Sequence, residues 1–503
     1  MRLAFPIFAA LVALSVAACG SGSDGGDANG ASAPSPAASA TAGTGETETA
    51  TAEPEPTRAL KPITDEDLVG LVYWQEIDFW NGYQGLLRTP PESALDTVLA
   101  MALDEDNAYL QYLIDFAMVP VPYSAFAYEL LLSTQPPTEF PILGWVEGLG
   151  FRTPADDSAT YLAFKHKLVR GIQEQMGAFV DPAQPRTISA QEVVWGGVRV
   201  DGIPPLESPH FLSAREAVWI GPDDLVIGVE INGDARAYPR RIVDWHEMVN
   251  DTVGGVPVSL AYCTLCGSAI LYDGRVGDGV YRFGTSGLLY RSNKLMYDRT
   301  TNTLWEQFTG EPVWGELVGS GIQLKFLPVV HTTYETWLKA HPDTLVLDID
   351  TGHNRNYGEG VAYARYFRSS QLMFPAPDRS GPPAVKSPVY AVRLNGEVLA
   401  YPISLLRDEG FLHDDLGDVR LVVFATADGT GGRAFAAGDE EFVEFDPESG
   451  IAVTAAGTSW TVSESALVSD AGAELERLPG HNSFWFAVSN HSPSYRLYEL
   501  PSS

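Results

Sequence analysis

Three regimes of hydrophobic patterning follow one another along the chain. Leu3 to Ala18 is an apolar stretch behind the positively charged start Met1-Arg2. It is too short, and too soon followed by Gly and Ser, to span a bilayer, and it reads as a signal peptide. Between residues 60 and about 182, apolar positions recur at spacings of three and four. Tyr161, Phe164, Leu168, Ile172, Met176 and Phe179 make one helical face, and Glu92 to Met118 has the same character. Thr64-Asp65-Glu66-Asp67, and Thr153-Pro154 with Asp156 and Asp157, resemble helix starts with acids in the first turn. From about residue 186 the runs shorten and fill with Val, Ile, Tyr and Phe. Strands are predicted at Leu225 to Ile231, Val256 to Tyr262, Ala269 to Tyr272 and Val280 to Phe283. Asn232-Gly233 joins two such runs as a hairpin turn. The expected fold class is α+β, an α-helical N-terminal region followed by two tandem β-rich repeat units.

The tandem reading rests on one repeated passage. VIGVEINGDARAYP at Val226 to Pro239 returns as VYAVRLNGEVLAYP at Val389 to Pro402. Continued without a gap, Asp251 falls on Asp414, Gly254 on Gly417 and Val256 on Val419; later, and out of that register, Leu324 and Pro328 find echoes in Leu475 and Pro479, and Trp305 in Trp460. The shared positions are mostly Gly, Pro and apolar residues, so they speak of fold. The differences are chemical: Cys263 falls on Thr426, Cys266 on Gly429 and His246 on Glu409. The second unit lacks the reactive groups of the first.

Composition narrows the classes. Against 65 acidic residues stand 32 basic ones, a net charge of −33, which argues against a nucleic-acid partner. Of the three cysteines, Cys19 closes the signal peptide in Val16-Ala17-Ala18-Cys19, which resembles a bacterial lipobox. The expected product is a lipoprotein whose partner is the lipid membrane, anchored through acylated Cys19 on the extracytoplasmic face. Gly20 to about Thr57 is low in aromatics and rich in Gly, Ser, Ala, Thr and Pro, a flexible tether. The resulting division is 1–18 signal peptide, 19–58 tether, 59–185 helical region, 186–375 the unit with CxxC, and 376–503 the degenerate unit. The helical region offers a face for a protein partner. Two remaining cysteines cannot staple a chain of this length, so stability must come from a core.

Cys263-Thr264-Leu265-Cys266-Gly267 lies between two predicted strands and resembles a metal knuckle, with Gly267 free to take positive φ. A strand rather than a helix follows, which speaks against thioredoxin-type activation. Gly267 stands where haem attachment needs histidine, and no nucleotide-binding Gly-rich loop is present. A metal would need further ligands. His246 in Asp244-Trp245-His246-Glu247 is the first candidate and Met296 a soft second, ahead of His331 and His353. Two thiolates, an imidazole and a thioether favour copper or zinc over hard cations. His246-Glu247 ahead of CxxC also loosely echoes zinc deaminases, in which a Glu moves protons.

The runs DWHEMVNDTVGGVPVSLAYCTLCGSAILYDG and FGTSGLLYRSNKLMYDRTTNTLWEQFTGE resemble the uncharacterised family known as domain of unknown function 3179. The likeness begins near Asp201 and carries on, more weakly, to the C-terminus. It implies an exported or tethered prokaryotic protein and no particular activity. Members commonly have Pro where Thr264 stands, a change that only alters the stiffness of the turn. The expectation is a membrane-anchored protein binding copper or zinc through CxxC plus His. Its alternatives are a dithiol/disulfide redox protein and a non-catalytic scaffold.

Overall fold

The computed structural model describes residues 173–499, with 191, 375, 378–382 and 493 left out, together with residues 61–62, 151–152, 162, 166, 169 and 170. The signal peptide, Cys19 and the tether lie outside the described residues, as does most of region 59–185. Strand makes up 43% and helix 13% of the described part, so the α+β expectation with a helical N-terminal region is overturned. In that region Lys61–Pro62 pairs in parallel with Phe151–Arg152, and among the described residues Glu174–Phe179 forms a helix. Met176 and Phe179 are buried as the spacing requires. Upstream, Leu162 and Val169 are also buried, while Tyr161, Phe164, Leu168 and Ile172 lie outside the described residues. The error is one of range: periodicity is local, whereas strand pairing between segments ninety residues apart is not.

The β-rich part follows its sequence more closely. Leu225–Ile231 and Asp234–Pro239 form the predicted hairpin, with Asn232 at φ 53° and Gly233 at φ 80° as a two-residue primed turn demands. Its sheet runs in the order Val330–Thr333, Leu225–Ile231, Asp234–Pro239, Leu345–Leu347 and Phe211–Ser213. A helix, Tyr334–Ala340, links the first of these strands to the fourth, which pairs in parallel with Asp234–Pro239. The second sheet of this type runs Gly480–Phe484, Pro388–Leu394, Glu397–Pro402 and Ser494–Leu497, with helix Trp485–His491 making the same crossover. Seven-residue helices, Arg240–His246 and Ile403–Glu409, follow the two hairpins, and each leads into a further hairpin.

After these helices the two halves diverge. Val256–Cys263 lies in a five-stranded sheet with Ser268–Asp273, Met248–Val253, Lys325–Leu327 and Leu206–Glu207. Behind it stands a second five-stranded sheet holding Phe283–Tyr290 and Asn293–Asp298. The corresponding strands of the second half, Phe411–Leu416 and Val419–Ala425, begin an eight-stranded sheet. That sheet nearly closes on itself, with the His413 imidazole reaching the Phe442 carbonyl at 3.0 Å across the gap. The largest apolar core includes both cysteines, Trp195, Trp305 and Trp314, and also Phe486 and Ala487 from the far end of the chain.

Candidate functional site

The CTLC segment is the turn of a hairpin. Cys263 pairs with Ser268 in the ladder, the Cys266 amide donates to the Cys263 carbonyl at 3.1 Å, and Gly267 takes φ 60° to close the turn. Cβ atoms at both cysteines point inward, so the thiols end in the core rather than in water. Both are free thiols, and neither is more than 1% exposed. Their sulfurs lie 3.1 Å apart. Beyond them, the Cys266 thiol meets the Asn293 amide oxygen at 3.3 Å and the Ser292 carbonyl at 3.6 Å. Burial, and after it the adjoining Cys263 thiol, push Cys266 well above the usual thiol range. The resting Cys266 thiol is therefore protonated.

Two ionisable groups stand near the sulfurs: Glu247, which the sequence offered only through its echo of zinc deaminases, and Lys294, which it did not single out. Glu247 caps the Arg240–His246 helix in the left-handed region, at φ 56°, which turns its side chain inward. Burial raises its carboxyl to about 7, with Lys294 pulling the other way. Lys294 sits in a strand whose residues are all buried, Asn293–Asp298. Its ammonium donates to the Glu247 carbonyl oxygen and lies 3.6 Å from the Met248 sulfur. Burial lowers Lys294 to about 8, against the attraction of Glu247 and both thiols. Asp244, one helical turn before Glu247, is raised to about 7 by burial, and its Oδ1 has no hydrogen-bond partner. A cavity of about 40 Å³ lies against this cluster, lined by Glu247, Leu265 and Lys294 along with Gly196, Gly287 and Phe374.

The other predicted residues are distributed differently. His246 is fully buried, but its Nδ1 meets the Pro204 carbonyl at 2.7 Å and its Nε2 the Tyr357 hydroxyl at 2.5 Å. Burial lowers it to about 4, so it is a neutral ring with both nitrogens occupied. His353 packs beside it, ring centroids 5.2 Å apart, rather than beside the sulfurs. His331 lies on the Val330–Thr333 strand of another sheet. Met296 shares the apolar core with both cysteines, two residues along the strand from Lys294. Among the described residues, no group of three or more His, Cys, Asp or Glu converges as a metal site. The signal for Lys294 was present in the sequence: period two puts it on the same strand face as Met296, where a lysine is out of place.

Among the described residues, a mostly β-strand fold with a buried dithiol near a paired lysine and glutamate is what the fold and site define. The family described as "Protein of unknown function (DUF3179)" matches residues 200–495, more than half of the chain, and the chain belongs to that family. No curated protein matches it, and no solved structure does.

Proposed function

We propose that Cys263 and Cys266 form a reversible dithiol/disulfide centre in a protein held at the extracytoplasmic face of a membrane by acylated Cys19. The observation that carries the reading is the 3.1 Å sulfur separation. A disulfide needs about 2 Å, a closure of about one ångström within a turn that already faces the thiols together. A tetrahedral metal with arms of about 2.3 Å instead holds two thiolates about 3.8 Å apart. The chemistry is exchange with a small disulfide. One cysteine sulfur, as thiolate, attacks a sulfur of the partner, whose S–S bond breaks and releases a thiolate. The second cysteine sulfur then attacks the mixed disulfide and releases the other. Two electrons pass from the cysteine pair to the partner, and the two thiol protons end on the two thiols released. Glu247 and Lys294, set to about 7 and about 8, are the groups that accept and return those protons.

One observation favours a second reading. The thioethers of Met248 and Met296 lie in the same apolar core as the two sulfurs, a soft donor set suited to copper if the thiols part. In that reading Cys263 and Cys266 hold the ion with Met296, and His246 joins only if its ring leaves Tyr357.

Full-length protein equilibrated in graded glutathione buffers, then denatured, alkylated and weighed, separates the two. A Cys263–Cys266 disulfide that forms and reverses supports the redox centre. Thiols that stay free throughout, with stoichiometric copper or zinc lost in Cys263→Ser/Cys266→Ser, overturn it in favour of the metal.

A further inference from the structure

The CxxC turn is held from outside its own sheet. The Phe484 amide donates to the Cys266 carbonyl at 2.7 Å, and the Ser483 hydroxyl reaches the same oxygen at 3.4 Å. The Tyr366 hydroxyl donates to the Leu265 carbonyl at 2.6 Å. Tyr366 is fixed in turn by Lys386, whose ammonium lies 3.6 Å over its ring and donates to the Ser369 carbonyl at 2.8 Å. The acceptor side of the site is tied to the same far segment. Arg291, next to Ser292 and Asn293, donates to the Asn490 carbonyl at 2.7 Å, and His491 meets Glu306 at 2.7 Å. The Phe484, Ser483, Arg291 and His491 ties run between the half that carries the cysteines and the C-terminal half, whereas Tyr366 sits in the connection between them and is fixed there by Lys386.

The contact is reciprocal. Thr426-Ala427-Asp428-Gly429 stands where CTLC stands in the gapless alignment. Its Asp428 carboxylate accepts from the Thr332 hydroxyl at 2.6 Å and from the Thr333 amide, and the Thr430 hydroxyl donates to the His331 carbonyl at 3.3 Å. Thr333 and Phe484 are the N-caps of the two crossover helices. Each turn therefore docks on the strand-to-helix junction of the other half, an isologous arrangement within one chain. Only one of the two turns carries sulfur. This accounts for a second unit without cysteines: it is the mould in which the first unit's turn is set.

We infer that Tyr366 and the Phe484 amide are positioning groups of the dithiol, holding the turn so that the two sulfurs face each other. The inference rests on the redox reading of Cys263 and Cys266. Releasing either tie lets the turn relax, which lowers the effective concentration of one thiol at the other and disfavours the disulfide. A hydrogen bond of ordinary strength corresponds to about fivefold in an equilibrium. Tyr366→Phe should thus shift the dithiol/disulfide equilibrium of the full-length protein about fivefold toward the dithiol, about 20 mV for a two-electron couple. Phe484→Pro removes the amide donor at a residue whose φ of −79° already suits proline. It should shift the equilibrium in the same direction.

The test measures the equilibrium in glutathione buffers for wild type and both variants, with thermal midpoints alongside. Wild type that forms the disulfide and variants shifted toward the dithiol support the inference, and Tyr366→Phe alone suffices if the proline variant does not fold. Variants that lose thermal stability but keep the wild-type equilibrium overturn it, leaving the redox centre standing. Wild type that forms no disulfide in any buffer removes the redox reading itself, and the inference with it.

Discussion

Lys294→Met isolates the burial penalty of the one buried ammonium described in the site. In the folded protein the ammonium is buried and its pKa falls to about 8, from an ordinary 10.5. At about 1.4 kcal/mol per pH unit, the charged lysine costs about 3 kcal/mol at pH 7 relative to the unfolded chain. Methionine has nearly the same length and suits the Met248 and Met296 surroundings. The variant loses the hydrogen bond to the Glu247 carbonyl, about 1 kcal/mol, and leaves the Glu247 carboxyl protonated at neutral pH. The net expectation at pH 7 is a gain in stability of about 2 kcal/mol. A depressed folded pKa means that wild-type stability rises as pH climbs from about 8 to 10.5, because only the unfolded chain then holds the proton. The advantage of the variant should therefore shrink above pH 8 and turn into a deficit of about 1 kcal/mol near pH 10.5. Urea unfolding of both proteins at pH 6, 7, 9 and about 10.5 reads the difference directly. A variant less stable by a constant amount at every pH would refute the reasoning, since it would show Lys294 acting as a plain hydrogen-bond donor with no burial penalty.

Three further outcomes follow from the same structure. His246 has a folded pKa of about 4 against an ordinary 6.5, so stability falls as pH drops through that window. His246→Phe should flatten that part of the acid-unfolding curve while costing about 2 kcal/mol at pH 7, because the Pro204 carbonyl and the Tyr357 hydroxyl lose their partner. A Cβ at Gly228 would lie 2.3 Å from the Trp337 ring, so Gly228→Ala should destabilise by about 3 kcal/mol in chemical denaturation; a neutral effect would mean that the Trp337 packing is wrong. Cys19→Ala should move the protein from the membrane fraction to the soluble fraction on cell lysis, and an unchanged distribution would show that another segment anchors it.

The legible part of this protein was its local geometry. Asn232-Gly233 demanded a primed turn and forms one, and Gly267 was placed at positive φ by its position after Cys266, where it is found. The strands Leu225–Ile231 and Val256–Cys263 lie within a residue of where alternation and turn residues set them. Periods of two and 3.6 are properties of consecutive residues, so they are readable without knowing the neighbours. The same local rule misled where pairing was distant, as at Phe151–Arg152.

The site itself was only half legible. The sequence determined by itself that two thiols share one turn, and that the second half of the chain has none at the matching place. It also held the clue of Lys294 in an apolar strand. Only the tertiary structure decided that Lys294 and Glu247 share the dithiol's core, that His246 turns instead to Pro204 and Tyr357, and that Phe484 reaches back across the chain to Cys266. The physical reason is desolvation. What a carboxyl, an amine or a thiol does depends on which distant surfaces exclude water from it, and that is a property of packing that no stretch of sequence carries alone.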